Sequence, residues 1–352
     1  LGWLSSLRLP KRREAASKTR FEIEPYLKLH YLRKNLAVLN SNTSIWLSII
    51  GLATFWSISQ VVLVAFPAFA KETLQIDNTV VIQGILACSG IGIMLGSVIA
   101  AHASKNYIET GLIPIGALGV AIGIALLPGL SSTVAMGTAF LAIGTMGGMF
   151  IVPLNSLIQF HSREAQLGTI LAGNNWIQNI AMLTALLITV GFATAGIDSV
   201  GLFYLLTAVA IIGTGYTVRK LPHSLARIIA TGILKRRYKI AVVGFENLPQ
   251  SGATLLLGNH ISWIDWALVQ IACPRPIRFV MLHRIYETWY LKPFFNVFGV
   301  VPISSGQSND SLETIRELLK AGEMVCLFPE GAISRNGHLG KFHSGYMRAV
   351  EG

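Results

Sequence analysis

Apolar and charged positions separate cleanly along this chain. Between Ser44 and Val218 every Lys, Arg, Asp and Glu falls in a short gap: Lys71, Glu72 and Asp77, then Lys105 and Glu109, then Arg163 and Glu164, then Asp198. A charge at mid-membrane costs about 2.5–3.5 kcal/mol, so the gaps mark the ends of segments. They leave six apolar runs of spanning length, at 44–70, 79–102, 110–130, 133–160, 167–194 and 199–218. Further on, the period changes. The short apolar runs KIAVVGF, ATLLLG, IRFVML, VVPIS and MVCLFP read as strands, and the stretches near 262–273, 285–297, 309–321 and from 341 onward read as helices. Such alternation predicts an α/β domain. The expected fold is therefore multi-domain, with an all-α polytopic membrane domain of six transmembrane helices followed by an α/β domain.

Four regions follow from this pattern. Residues 1–43 are a basic segment, 44–218 the six-helix unit, 219–238 a basic linker helix and 239–352 the α/β domain. In the linker, Leu225, Ile228, Ile229 and Ile233 share one helical face beside basic residues, which predicts a helix lying on the membrane surface. The segment before the first span holds Arg8, Lys11, Arg12, Arg13, Lys18, Arg20, Lys28, Arg33 and Lys34, and that after the sixth holds Arg219, Lys220, Arg227, Lys235, Arg236, Arg237 and Lys239. An even number of spans puts both on one side, and the excess of positive charge makes that side cytoplasmic. Lys105 and Arg163 fall on the same side, while Lys71 falls opposite, next to Glu72.

Composition agrees. The 352 residues are 52% hydrophobic and 13% charged, against about 25% charged in an ordinary soluble domain. A net charge of +11 in so apolar a chain points to lipid headgroups, and no nucleic-acid motif is present. Cys88, Cys273 and Cys326 are scattered, with neither metal-ligand spacing nor a disulfide framework, and read as buried thiols. There is no basic-then-apolar signal peptide. The chain starts at Leu1 and stops at Gly352 inside a helical pattern, so both ends read as cut.

Within the spans, glycines in GIGIMLG, GALGVAIG and GTMGG predict close helix packing. The fifth span carries Asn174, Asn175, Gln178 and Asn179. Such groups either line a substrate path or hydrogen-bond to a neighbouring helix. Six spans after a basic segment, with FWSISQVVLVAFPAFAKETL at 55–74, resemble the second half of a major facilitator superfamily transporter of the bacterial lysophospholipid group. That fold is built of two six-helix halves, so the resemblance implies a missing N-terminal half. The loop GSVIAAHASKNYIETG keeps Gly96 and Lys105 of the superfamily's signature but lacks its usual acid and arginine pair.

The candidate chemistry lies in GNHISWIDW, 258–266. Residues five apart on one helix point roughly 140° apart, so His260 and Asp265 can meet only if a strand turns into a helix near His260. Asp265 would then hold one imidazole nitrogen, fixing the tautomer and leaving the other as a general base. The alternative is a capped helix start. A second stretch, LFPEGAISRNG at 327–337, follows another apolar strand and places Glu330, Gly331, Ser334 and Arg335 at a strand end, where α/β sheets bind ligands. Arg335 either pairs with Glu330 or holds a phosphate.

NHISWID, FPEG about 65 residues later, and KFHSG at 341–345 together closely resemble the glycerolipid acyltransferases of the lysophosphatidate acyltransferase type. The resemblance covers 235–352 and implies His260 as base and Asp265 as its orienting partner. It further implies substrate binding by Asn259, Glu330, Gly331, Ser334, Arg335 and Lys341. In PFFNVFGVVPIS, Ser304 or Ser305 stands where the family has a substrate-binding arginine. No metal and no bound cofactor are required, because an acyl-carrier-protein or coenzyme A thioester is already activated.

A transporter half followed by such a domain resembles the bacterial fusion of a lysophospholipid transporter with a 2-acylglycerophosphoethanolamine acyltransferase, often followed by an acyl-carrier-protein synthetase. The expected function is lysophospholipid O-acylation in phospholipid remodelling at the bacterial inner membrane, with the acyltransferase domain cytoplasmic and membrane lipids as surroundings. The alternatives are acylation of 1-acylglycerol-3-phosphate, and a transporter whose soluble part only docks on the membrane.

Overall fold

A computed structural model describes residues 23–24, 30–105, 107–249, 251–273, 275–303, 308–334, 336–343 and 347. A helix α1 (His30–Asn40) leads into six long apolar helices: α2 (Thr43–Glu72), α3 (Thr79–Ala103), α4 (Leu112–Leu126), α5 (Thr133–His161), α6 (Leu167–Thr194) and α7 (Ser199–Lys220). A 3₁₀ turn at Leu127–Gly129 extends α4, and all six are long and apolar enough to cross a membrane. The gaps between them supply the caps. The Asn42, Asn78 and Asp198 side chains accept hydrogen bonds from the first free amides of α2, α3 and α7, at 2.8, 2.9 and 2.8 Å.

The core of this bundle is aromatic. Phe66 stands edge-on to Phe140 with ring centroids 4.7 Å apart, and Phe69 edge-on to Phe203 at 5.2 Å. α6 sits at the periphery, with Ile170 and Asn174 as its buried residues. α1, inside the segment expected to be a plain basic tail, turns Leu39 into the bundle against Gly173 of α6.

α3 and α5 meet backbone to backbone. A Cβ on Gly96 would lie 2.0 Å from the Thr145 carbonyl oxygen, and one on Gly144 2.0 Å from that of Ser89. Only hydrogen fits there, which accounts for the glycine runs of both helices.

The linker helix is α8 (Pro222–Arg237). It does not simply lie on a surface. Arg227 is buried among protein groups, while Ile229 and Ile233 of the apolar face stay exposed. Next comes a four-stranded parallel sheet of β1 (Thr254–Leu257), β2 (Ile277–Leu282), β3 (Val301–Ile303) and β4 (Met324–Leu327), in the order β1-β4-β2-β3. Helices α9 (Asp265–Ala272), α10 (His283–Tyr286), α11 (Lys292–Phe298) and α12 (Ser308–Lys320) connect them. β4 is central and its Met324, Val325 and Cys326 are buried, as expected for a continuous apolar run in a parallel sheet.

Three expectations need correction. KIAVVGF is not a strand: residues 239–244 are irregular, Val243 is 93% exposed, and Gly244 takes φ +76° just before a 3₁₀ turn. It pairs with no strand of the sheet, whose order is β1-β4-β2-β3. The helix expected at 285–297 is two helices, broken at 287–291, with Pro293 restarting the chain in the first turn of α11. Of the helix expected from 341 onward, residues 341–343 are irregular and the rest, apart from Met347, lies outside the described residues.

Substituting Gly96→Leu or Gly144→Leu is expected to force α3 and α5 apart and cost about 3 kcal/mol or more. Gly90→Ala, which meets nothing within 4 Å, is expected to be tolerated. Thermal unfolding in detergent distinguishes them.

Candidate active site

β1 and β4 are adjacent and parallel, with Leu257 opposite Leu327. Three residues beyond each strand end stand His260 and Glu330, so the pairing delivers them to one place. The His260 amide donates to Glu330 Oε1 at 3.0 Å, and the Ser334 amide donates to the His260 carbonyl at 2.7 Å. The other Glu330 oxygen accepts from the Gly340 amide at 2.9 Å. Glu330 is thus engaged at both oxygens by backbone and ties three loops together. Gly331 takes φ +72° to turn the chain away, and a Cβ there would press on His343 at 3.3 Å.

The turn after β1 brings His260 back onto α9. Asp265 is the first residue of that helix and is 6% exposed. Its Oδ2 lies 2.8 Å from His260 Nδ1 and also accepts from the Ile261 and Ser262 amides, at 2.8 and 2.9 Å. The carboxylate caps the turn and holds the imidazole at once. In the neutral imidazole, an Nδ1 proton donated to this carboxylate leaves Nε2 as the acceptor. Among the described residues no group hydrogen-bonds Nε2. The ring stacks on Phe328, with centroids 4.5 Å apart and planes 19° apart.

His260 lines a cavity of about 700 Å³ walled by Trp263, Trp266, Phe279, Phe294 and Phe328, within the range of roughly 300–1,000 Å³ usual for small-molecule sites. Trp266 packs edge-on against Phe294 and Phe298 at 5.4 and 6.2 Å. Thiol chemistry is not on offer nearby: burial pushes the Cys326 thiol up to about 12 and raises that of Cys273 as well. Cys88, expected buried, is half-buried in α3. Among the described residues no three His, Cys, Asp or Glu side chains gather to hold a metal ion.

Residues 1–186 match the family model of the Major Facilitator Superfamily. The chain belongs to the major facilitator superfamily. Residues 239–351 of this superfamily member match the Acyltransferase family model, so the chain joins the two. Among curated proteins, the chloroplastic 1-acyl-sn-glycerol-3-phosphate acyltransferase of Arabidopsis thaliana is 33% identical over 132 residues, 36% of each chain. The lysophospholipid transporter of Enterobacter sp. (strain 638) is 32% identical over 180 residues, 47% of this chain and 43% of that one. That of Escherichia coli O139:H28 is 30% identical over 157 residues, 42% of this chain and 39% of that one. The chain spans less than half of the length of each of these relatives. No solved structure gave a match. The six apolar helices and the superfamily make this a multi-pass membrane protein.

The other expected site residues scatter. Asn259 and Lys341 are exposed, and the Ser334 hydroxyl lies 2.8 Å from the His338 carbonyl and 2.9 Å from Asn336 Oδ1. Arg335, Ser304 and Ser305 lie outside the described residues. In α6, Gln178 donates to Asn174 Oδ1 and Asn179 to the Asn175 carbonyl, both at 2.7 Å. These bonds run along one helix rather than between helices. A separate cavity of about 400 Å³, lined by Thr54, Ser57, Ile58, Ile177, Ala181 and Leu206, opens between α2, α6 and α7.

The aromatic wall of the site and one anchor of the sheet were missed in the sequence. The aromatic wall has a faint signal in the spacing of Trp263 and Trp266. Arg275 has none, yet its guanidinium binds the carbonyls of Pro249, Gly252 and Gly322 at 3.1, 2.7 and 2.9 Å and fastens the sheet's opposite end.

Replacing Glu330 with Ala leaves the His260 and Gly340 amides without their acceptor, at about 1–3 kcal/mol for each group kept from water. Limited proteolysis is expected to cut the 331–343 loop faster, and thermal unfolding to come earlier, while the bundle helices stay protected.

Proposed function

We propose that this chain transfers a fatty acyl group from an acyl thioester to the free hydroxyl of a lysophospholipid, in a protein whose membrane part moves lysophospholipid. The observation that carries this reading is the His260–Asp265 pair at 2.8 Å, set at the wall of an apolar cavity. The polar end of the site meets the base, and the apolar cavity suits a hydrocarbon chain.

The chemistry balances without a metal. The lysolipid hydroxyl oxygen attacks the thioester carbonyl carbon while its proton passes to His260 Nε2. Asp265 steadies the imidazolium through Nδ1. The carbon–sulfur bond then breaks, and the proton passes from Nε2 to the departing thiolate. The thioester comes from acyl carrier protein or coenzyme A. General-base help of this kind is worth about 10²–10⁴-fold, and holding the two reactants side by side supplies more.

We take lysophosphatidylethanolamine as the acceptor, the bundle as one six-helix half of a larger transporter, and the basic faces before α2 and after α7 as cytoplasmic. The lysophospholipid transporters among the relatives support the acceptor class. A second reading, 1-acylglycerol-3-phosphate as acceptor, draws on the printed name of the plant relative. Acyl transfer measured with both acceptors in competition separates the two.

His260→Ala is expected to lower acyl transfer by at least about 10²–10⁴-fold, and Asp265→Asn to lower it strongly. Because the two act as one unit, the double variant should lose little more than His260→Ala alone. The measurement is transfer from a labelled thioester by the full-length protein in membranes. Multiplying losses would show that the residues act separately, and normal transfer by His260→Ala would leave only a docking domain.

A further inference from the structure

The loop that joins α3 to α4 reaches the acyltransferase-matching domain through one buried ion pair. Glu109 and Arg227 are 5% and 3% exposed, and Glu109 Oε1 accepts from Arg227 Nη2 at 2.7 Å. The same oxygen accepts from the Gly111 amide at 3.0 Å, and Glu109 Oε2 from the Tyr107 hydroxyl at 3.2 Å. The Tyr107 ring lies 4.7 Å from the Arg227 guanidinium carbon, and burial pushes its hydroxyl up to about 12, so it stays a neutral donor. From its other side Arg227 Nη1 donates to the Cys273 carbonyl at 3.3 Å. Cys273 closes α9, the helix whose first residue is Asp265.

The joint is tight as well as polar. The Thr110 and Ser224 hydroxyls are 2.8 Å apart, and a Cβ on Gly111 would lie 2.3 Å from the Ser224 carbonyl oxygen. One turn away, His223 of α8 stands edge-on to Phe298 of α11 at 5.2 Å. A flexible tether would need none of these contacts. Burying two charges is expensive unless their geometry is held, so the pair marks an orientation rather than general adhesion.

We propose that Glu109 and Arg227 are positioning residues for the His260–Asp265 pair, so that the ends of two membrane helices set the pose of α9 and with it the rate of acyl transfer. This rests on the reading of His260 as the base. The pair touches neither His260 nor the cavity. It acts on Asp265 through the eight residues of α9, a rod of about 12 Å.

The test uses the full-length protein in membranes, with acyl transfer measured per folded molecule. Glu109→Gln is expected to lower kcat by about 10- to 100-fold, the scale of a misplaced catalytic group, with KM for the thioester unchanged. Tyr107→Phe, which keeps the ring over the guanidinium, gives a smaller loss of the same kind and carries the test if Glu109→Gln does not accumulate. Adding Thr110→Cys with Ser224→Cys to either variant and oxidising re-ties the joint by a covalent bond. The expected result is recovery of kcat that a reductant reverses. Unchanged kcat in both variants, or an oxidised pair that restores nothing, overturns the proposal. His260→Ala is run beside them. If it stays active, the reading of the site falls and this proposal with it; if it is inactive while Glu109→Gln is normal, only the coupling falls.

Discussion

Parallel pairing of β1 with β4 is the interaction on which the site depends. The two strands are about 70 residues apart in sequence, and their only route to adjacency is through the sheet. Once Leu257 faces Leu327, the first residues past each strand end emerge side by side. His260 and Glu330 then meet with no further adjustment. A slip of one residue would turn every side chain of the strand to the other face and separate the His260 amide from the Glu330 carboxylate.

Asp265 shows how economically the turn is built. One carboxylate oxygen serves two backbone amides and the imidazole. The cap of α9 and the orientation of His260 are therefore one arrangement, and the helix cap does not compete with the contact between the two side chains. Both are present in the same atoms.

Much of this was legible in the chain. Six apolar runs bounded by charges became six helices with ends within a few residues, because charge exclusion acts residue by residue. The separation of His260 from Asp265 by five positions demanded a turn, and the turn exists. What escaped notice depends on partners distant in sequence. KIAVVGF has the composition of a strand, yet it joins neither edge of the sheet, and composition alone does not decide whether a ladder forms. The helix at 285–297 divides at a short turn whose residues carry only a weak signal before Pro293. Arg227 looked like part of a basic surface helix, since nothing local announces that Glu109, more than a hundred residues earlier, waits for it. Glu330 was visible as a candidate, but not that both of its oxygens are spent on backbone amides.

The glycine contact between α3 and α5 has a mechanical consequence. Where two helices touch through backbone alone, no side chain can change rotamer to absorb a displacement. The two helices are therefore stiffly joined and tilt as a single lever. α3 has 25 residues, a length of about 37 Å at the usual rise. A tilt of about 3° at one end moves the other by roughly 2 Å over that length. A hydrogen-bonded contact at the end of such a lever feels nearly the whole of that movement, because the glycines leave nothing soft along the way.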